Sequence, residues 1–82
     1  MAVNLILYST SHCHLCELAE SILKDISVLN DIVWTTLEIS EDSTLLLRYE
    51  IKIPVIKRVD NEIEIAWPFT AQDIKSLVEV NN

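Results

Sequence analysis

Apolar residues in this chain arrive in short runs whose period changes along the sequence. Residues 3–8 (Val-Asn-Leu-Ile-Leu-Tyr) are almost continuously apolar, the pattern of a buried parallel strand. From Cys13 onward, Leu15, Leu18, Ala19, Ile22, Ile26 and Leu29 recur every three or four residues. That spacing predicts a helix with this stripe on its buried face. Asn30-Asp31 signals a turn, and residues 32–39 are rich in β-branched side chains, which predicts a second strand. Ser40 is placed to cap a short helix over roughly 41–49, with Leu45, Leu46 and Tyr49 inward. Residues 53–59 read as a third strand containing Pro54, and 62–67 alternate as a fourth. Between them, Asp60-Asn61 suits a tight hairpin because both residues tolerate positive φ. Thr70 with Asp73 matches a capping box ahead of Ile74, Leu77 and Val78, the stripe of a last helix.

The predicted order is βαβαββα in a single domain over residues 1–82. Its first half is a right-handed crossover with parallel strands, and its second half is a hairpin followed by a helix. The expected fold class is α/β, a four-stranded mixed sheet with helices on both faces.

Composition narrows the function. Half of the 82 residues are hydrophobic, which suits a packed core. Thirteen acids against six bases give a net charge of -7, and Lys57-Arg58 is the only adjacent basic pair. Nucleic acid is therefore excluded as the main partner. The charge reads first as a solubility device, and second as an attraction to basic partner surfaces. The chain has no glycine. Dinucleotide fingerprints, phosphate loops and EF-hands all need one, so no cofactor is expected. No stretch reaches the ~20 apolar residues that cross a bilayer, and the first residues carry no basic leader. A cytoplasmic monomer is the expectation.

The two cysteines, Cys13 and Cys16, stand three apart, directly after a strand and at a helix start. Unpaired amides and the helix dipole concentrate positive potential there, which favours a thiolate. A thiol of pKa ~8.5 is about 3% ionised at pH 7, whereas one of pKa ~6 is roughly 90% ionised. Cys13 is assigned as the nucleophile and Cys16 as the resolving thiol. His12 and His14 flank Cys13, and His14, between the cysteines, is placed to tune redox poise and meet substrate. Glu17 either opposes ionisation of Cys16, relays its proton, or simply complements the helix N-terminus.

Two other readings use the same residues. His12, Cys13, His14 and Cys16 are all potential ligands for a soft cation such as Cu(I) or Zn(II), although structural zinc normally joins two separated ligand pairs and no second pair exists here. Alternatively, the domain binds a partner without turnover.

In combination, Leu7-Tyr8-Ser9-Thr10, Cys13-His14-Leu15-Cys16-Glu17, Arg48-Tyr49, Ile53-Pro54-Val55 and Trp67-Pro68-Phe69 resemble the short bacterial glutaredoxin-like proteins of the thioredoxin superfamily. The resemblance covers nearly the whole chain. It implies the minimal thioredoxin fold and thiol–disulfide exchange, with disulfide-containing protein substrates and a reductant as partners. It also implies a cis Pro54 beside the active site, Ile53 as the residue whose backbone meets substrate, and Trp67 at the substrate rim or packed on the last helix. Several positions depart from the wider pattern. Trp67-Pro68-Phe69-Thr70 replaces the glycine pair and acid that hold glutathione in glutaredoxins. Thr10 and Ser11 stand where many glutaredoxins are basic. Leu7 and His12 stand where thioredoxins carry a buried acid and a Trp. Glu50 replaces a glycine that commonly ends a helix in the left-handed region, at a cost of up to ~1 kcal/mol if that conformation persists.

Overall fold

The computed structural model describes residues 2–79. Strand β1 (Val3–Ser9) leads into helix α1 (His14–Ser27), which returns to β2 (Ile32–Glu38). A single 3-10 turn (Ile39–Glu41) precedes α2 (Ser43–Tyr49). The hairpin β3 (Val55–Arg58) and β4 (Glu64–Ala66) then leads to α3 (Ala71–Glu79). The sheet order is β2-β1-β3-β4. β1 and β2 are parallel, with Ser9 opposite Glu38, while β1–β3 and β3–β4 are antiparallel. This is the expected mixed sheet of a minimal thioredoxin fold.

The alternation of β1 divides the core in two. Leu5 and Leu7 face α1 and α3, where they pack with Ala19, Leu23, Ile26, Ile56, Ile74 and Leu77. Tyr8 faces the other side, with Ile39, Tyr49 and Val55. There the Tyr8 and Tyr49 rings stack at 4.2 Å. Each fully buried aliphatic contributes about 1.5–3 kcal/mol, so the larger cluster under α1 and α3 dominates stability.

Three local expectations are corrected. The buried stripe of α1 is Cys16, Ala19, Leu23 and Ile26. Leu15 and Leu18 are about two-fifths exposed, and Leu29 lies beyond the helix at 88% exposure. The apolar residues of α1 span a wide arc with Leu18 at one edge and Cys16 at the other, so periodicity does not fix which part of it faces inward. Next, Asp42 rather than Ser40 caps α2, accepting the amides of Thr44 (2.9 Å) and Leu45 (3.2 Å). Burial of Ile39 extends the chain through a 3-10 turn before the helix can start. Finally, the β3–β4 connection is longer than a two-residue hairpin, and its left-handed residue is Glu62 (φ 62°). Asn61 instead accepts the Ile63 amide (3.0 Å), and Asp60 pairs with Arg58. Glu50 is right-handed at φ -55°, so the glycine substitution carries no left-handed cost.

The capping box of α3 forms in both directions. The Thr70 amide donates to Asp73 (2.8 Å), and the Asp73 amide donates to Thr70 Oγ1 (3.2 Å). At the other end of α3, the buried Arg58 donates to the carbonyls of Leu77 and Val78, each at 3.0 Å. A cation at a helix C-terminus satisfies orphan carbonyls and the dipole together.

Candidate active site

The chain leaves β1 at Ser9, turns over the carboxyl ends of the two parallel strands and enters α1 at Cys13. The turn depends on His12, whose φ of 59° lies in the left-handed region. Histidine is among the residue types enriched there. Cys13 follows in extended conformation as the N-cap of α1, with its sulfur accepting the Cys16 amide at 3.1 Å. One helical turn brings the Cα atoms of Cys13 and Cys16 to 5.2 Å, within disulfide range, and the two sulfurs are bonded. Cys16 is buried against the core while Cys13 is only half-buried. The two cysteines are thus unequal, with a partly exposed one at the helix N-terminus and a buried one a turn further on.

Glu38 was not anticipated from the sequence. Its carboxylate accepts the Ser11 amide (2.8 Å) and hydroxyl (3.0 Å) through one oxygen, and the Ser40 amide (3.1 Å) through the other. The Ser40 amide first, then the Thr10 side chain and Ser11, hold its pKa down at about 2. The end of β2 therefore tethers the loop that carries the cysteines. The available signal was the parallel register, since a residue at the end of β2 must meet the loop leaving the end of β1.

A cavity of about 180 Å³ opens beside the disulfide. Cys13 and Cys16 line it together with His12, Glu17, Glu20 and Thr36. His14 lies on the exposed side, 3.7 Å from Glu17. Among the described residues no three His, Cys, Asp or Glu side chains converge to hold a metal ion.

The remaining expected site residues lie on and around β3. Pro54 is fully buried and follows a cis peptide bond, as does Pro68. Ile53 is half-buried among the residues around Tyr49. Trp67 is half-buried, meets Phe69 edge-on at 5.2 Å, and donates its backbone amide to the Pro54 carbonyl at 3.0 Å. Pro54 and Trp67 are thus joined to each other. Neither of them, nor Ile53, lines the cavity beside the cysteines.

A mixed sheet in this order, with a Cys-x-x-Cys pair capping the first helix, defines a dithiol protein of thioredoxin fold. The chain belongs to the glutaredoxin-like domain (DUF836) family, whose pattern matches residues 4–79. Two solved structures of one structural-genomics target, XcR50 from X. campestris, are similar over almost their whole length. The X-ray structure has a TM-score of 0.82 at 26% identity, covering 95% of this chain and 99% of that one. The solution structure has a TM-score of 0.79 at 27% identity, covering 100% and 97%. A mutant thioredoxin from Halobacterium salinarum shares the fold at a TM-score of 0.72 and 20% identity, covering 94% of this chain and 72% of that chain. No functionally curated protein matches the chain. Fold, family and cysteine pair together support a thiol redox role. No described helix is long and apolar enough to cross a membrane.

Proposed function

We propose that the protein is a thiol–disulfide oxidoreductase, a dithiol electron carrier that exchanges its Cys13–Cys16 pair with disulfide-bearing proteins. The observation that carries this reading is the half-buried Cys13 at the start of α1, its sulfur accepting the Cys16 amide while bonded to the buried Cys16. In the reduced protein the same amide and helix dipole favour the Cys13 thiolate.

The exchange proceeds in two steps. The Cys13 thiolate attacks one sulfur of a substrate disulfide. A Cys13–substrate bond forms, the substrate S–S bond breaks, and the first substrate thiolate leaves and takes up a proton. Cys16 then loses its proton and attacks the Cys13 sulfur, expelling the second substrate thiolate, which is protonated in turn. Two electrons and two protons have passed to the substrate, and the intramolecular disulfide remains. A thiol reductant restores the dithiol by the reverse exchange and is itself oxidised to a disulfide.

On this reading Ile53 and Trp67 offer a substrate-facing edge at the start of β3, and the buried Pro54 supports it from behind through the carbonyl that accepts the Trp67 amide. His14 meets substrate from the exposed side of Cys13. The protein acts as a monomer in the cytoplasm, without a cofactor. The test is capture with Cys16→Ser, which leaves the mixed disulfide on Cys13 unresolved. Recovery of thiol-releasable partners supports the proposal. A Cys13→Ser protein that keeps full reductase activity contradicts it.

A further inference from the structure

We infer that the cavity beside the disulfide selects substrates whose reactive cysteine is flanked by lysine or arginine, with Glu17 and Glu20 as the specificity-determining residues. This rests on the oxidoreductase reading above and names its substrate class. Both cysteines line the cavity, so it is the recess beside Cys13 that can receive a side chain flanking the sulfur of an exchanging disulfide, while the Ile53 and Trp67 edge meets the substrate backbone. Two carboxylates, one turn apart on α1, line the same space, and no lysine or arginine does.

The charges that approach these carboxylates do not neutralise the cavity. Lys24 pairs with Glu20 at 3.6 Å, but its side chain is two-thirds exposed and does not line the cavity. Exposed pairs of this kind are weak and exchangeable. His14 sits 3.7 Å from Glu17 and carries charge only when protonated. The Thr36 hydroxyl donates to Glu20 at 3.4 Å, orienting the carboxylate while leaving its charge in place. The nearby Glu38 carboxylate is occupied by Ser11 and Ser40. The net charge of -7 adds a longer-range pull of the same sign. An anionic substrate such as glutathione disulfide, with more carboxylates than ammonium groups, meets repulsion at the same place.

The experiment is single-turnover exchange with the reduced protein, freed of reductant. The probes are short peptides carrying one cysteine capped as a disulfide with a neutral thiol, flanked by Lys, Gln or Glu. Each rate is divided by that of dithiothreitol on the same peptide, which removes the effect of the flanks on the leaving sulfur. The expected order is Lys, then Gln, then Glu, with a Lys-over-Glu ratio of about tenfold at low salt that shrinks as salt is added. Glu17→Gln and Glu20→Gln should each lower that ratio about threefold. Asp25→Asn removes one acid from an exposed position of α1 outside the cavity and should preserve the ratio. Equal rates on the three peptides overturn the inference. So does a ratio unmoved by both glutamate variants, or one lowered as much by Asp25→Asn, since that points to net charge alone. Exchange with none of the peptides overturns the oxidoreductase reading, and this inference with it.

Discussion

Glu38, at the end of β2, accepts both the amide and the hydroxyl of Ser11, two residues before Cys13. A strand end thereby holds the redox loop through a carboxylate whose pKa is lowered to about 2 from an ordinary 4.5. A depressed carboxylate pKa contributes stability that is present above the unfolded pKa and lost as pH falls through the folded one. Stability should therefore drop between pH about 4.5 and about 2 in part because of Glu38. Urea midpoints measured across that window should show a shallower loss in Glu38→Gln. An unchanged pH dependence would show that the tether carries no linkage.

Leu23 within α1 and Leu29 just beyond its end give a sharp contrast. Leu23 is fully buried under the sheet, and Leu29 is 88% exposed. Leu23→Ala should cost about 2–5 kcal/mol. Leu29→Ala should stay within about 0.5 kcal/mol of the parent. Denaturant unfolding of the two variants checks this, and comparable losses would place the buried face wrongly.

Arg58 links β3 to the last turn of α3. Its guanidinium holds the Leu77 and Val78 carbonyls and a two-point contact with Asp60. Arg58→Met keeps much of the aliphatic stem but strands those carbonyls, and should cost about 1–3 kcal/mol. Amide exchange should accelerate first in α3. Exchange that rises evenly over the molecule would argue against a local cap.

The two cysteines should respond unequally. Cys13→Ser should abolish exchange, while Cys16→Ser should still form a mixed disulfide and fail to release it. Intact-mass measurement after exposure to a small disulfide distinguishes the two. An adduct on Cys16 in the Cys13→Ser protein, forming as fast as one on Cys13, would contradict the inequality of exposure between them.

Much of the fold was legible because local signals agreed with tertiary needs. The apolar run of β1, the alternation in β4 and the Thr70–Asp73 box each specified their elements. The site's core was legible for the same reason, since Cys13 and Cys16 fall where a strand ends and a helix starts. What escaped depended on partners distant in sequence. Glu38 meets Ser11 only because β1 and β2 are parallel and in register. Arg58 becomes a buried cap only once α3 has docked on the sheet. The α1 arc was misread because Leu15 and Leu18 fit the helical period as well as Cys16 and Leu23 do. Only docking on the sheet selects between them.

The most direct measurement is the pH titration of thiolate ultraviolet absorbance in the reduced protein, repeated with Cys13→Ser and Cys16→Ser. The expected result is one thiolate half-formed below pH about 7.5, lost in Cys13→Ser and kept in Cys16→Ser. A Cys13 midpoint at or above the ordinary ~8.5 would contradict an N-terminal helix field acting on that sulfur.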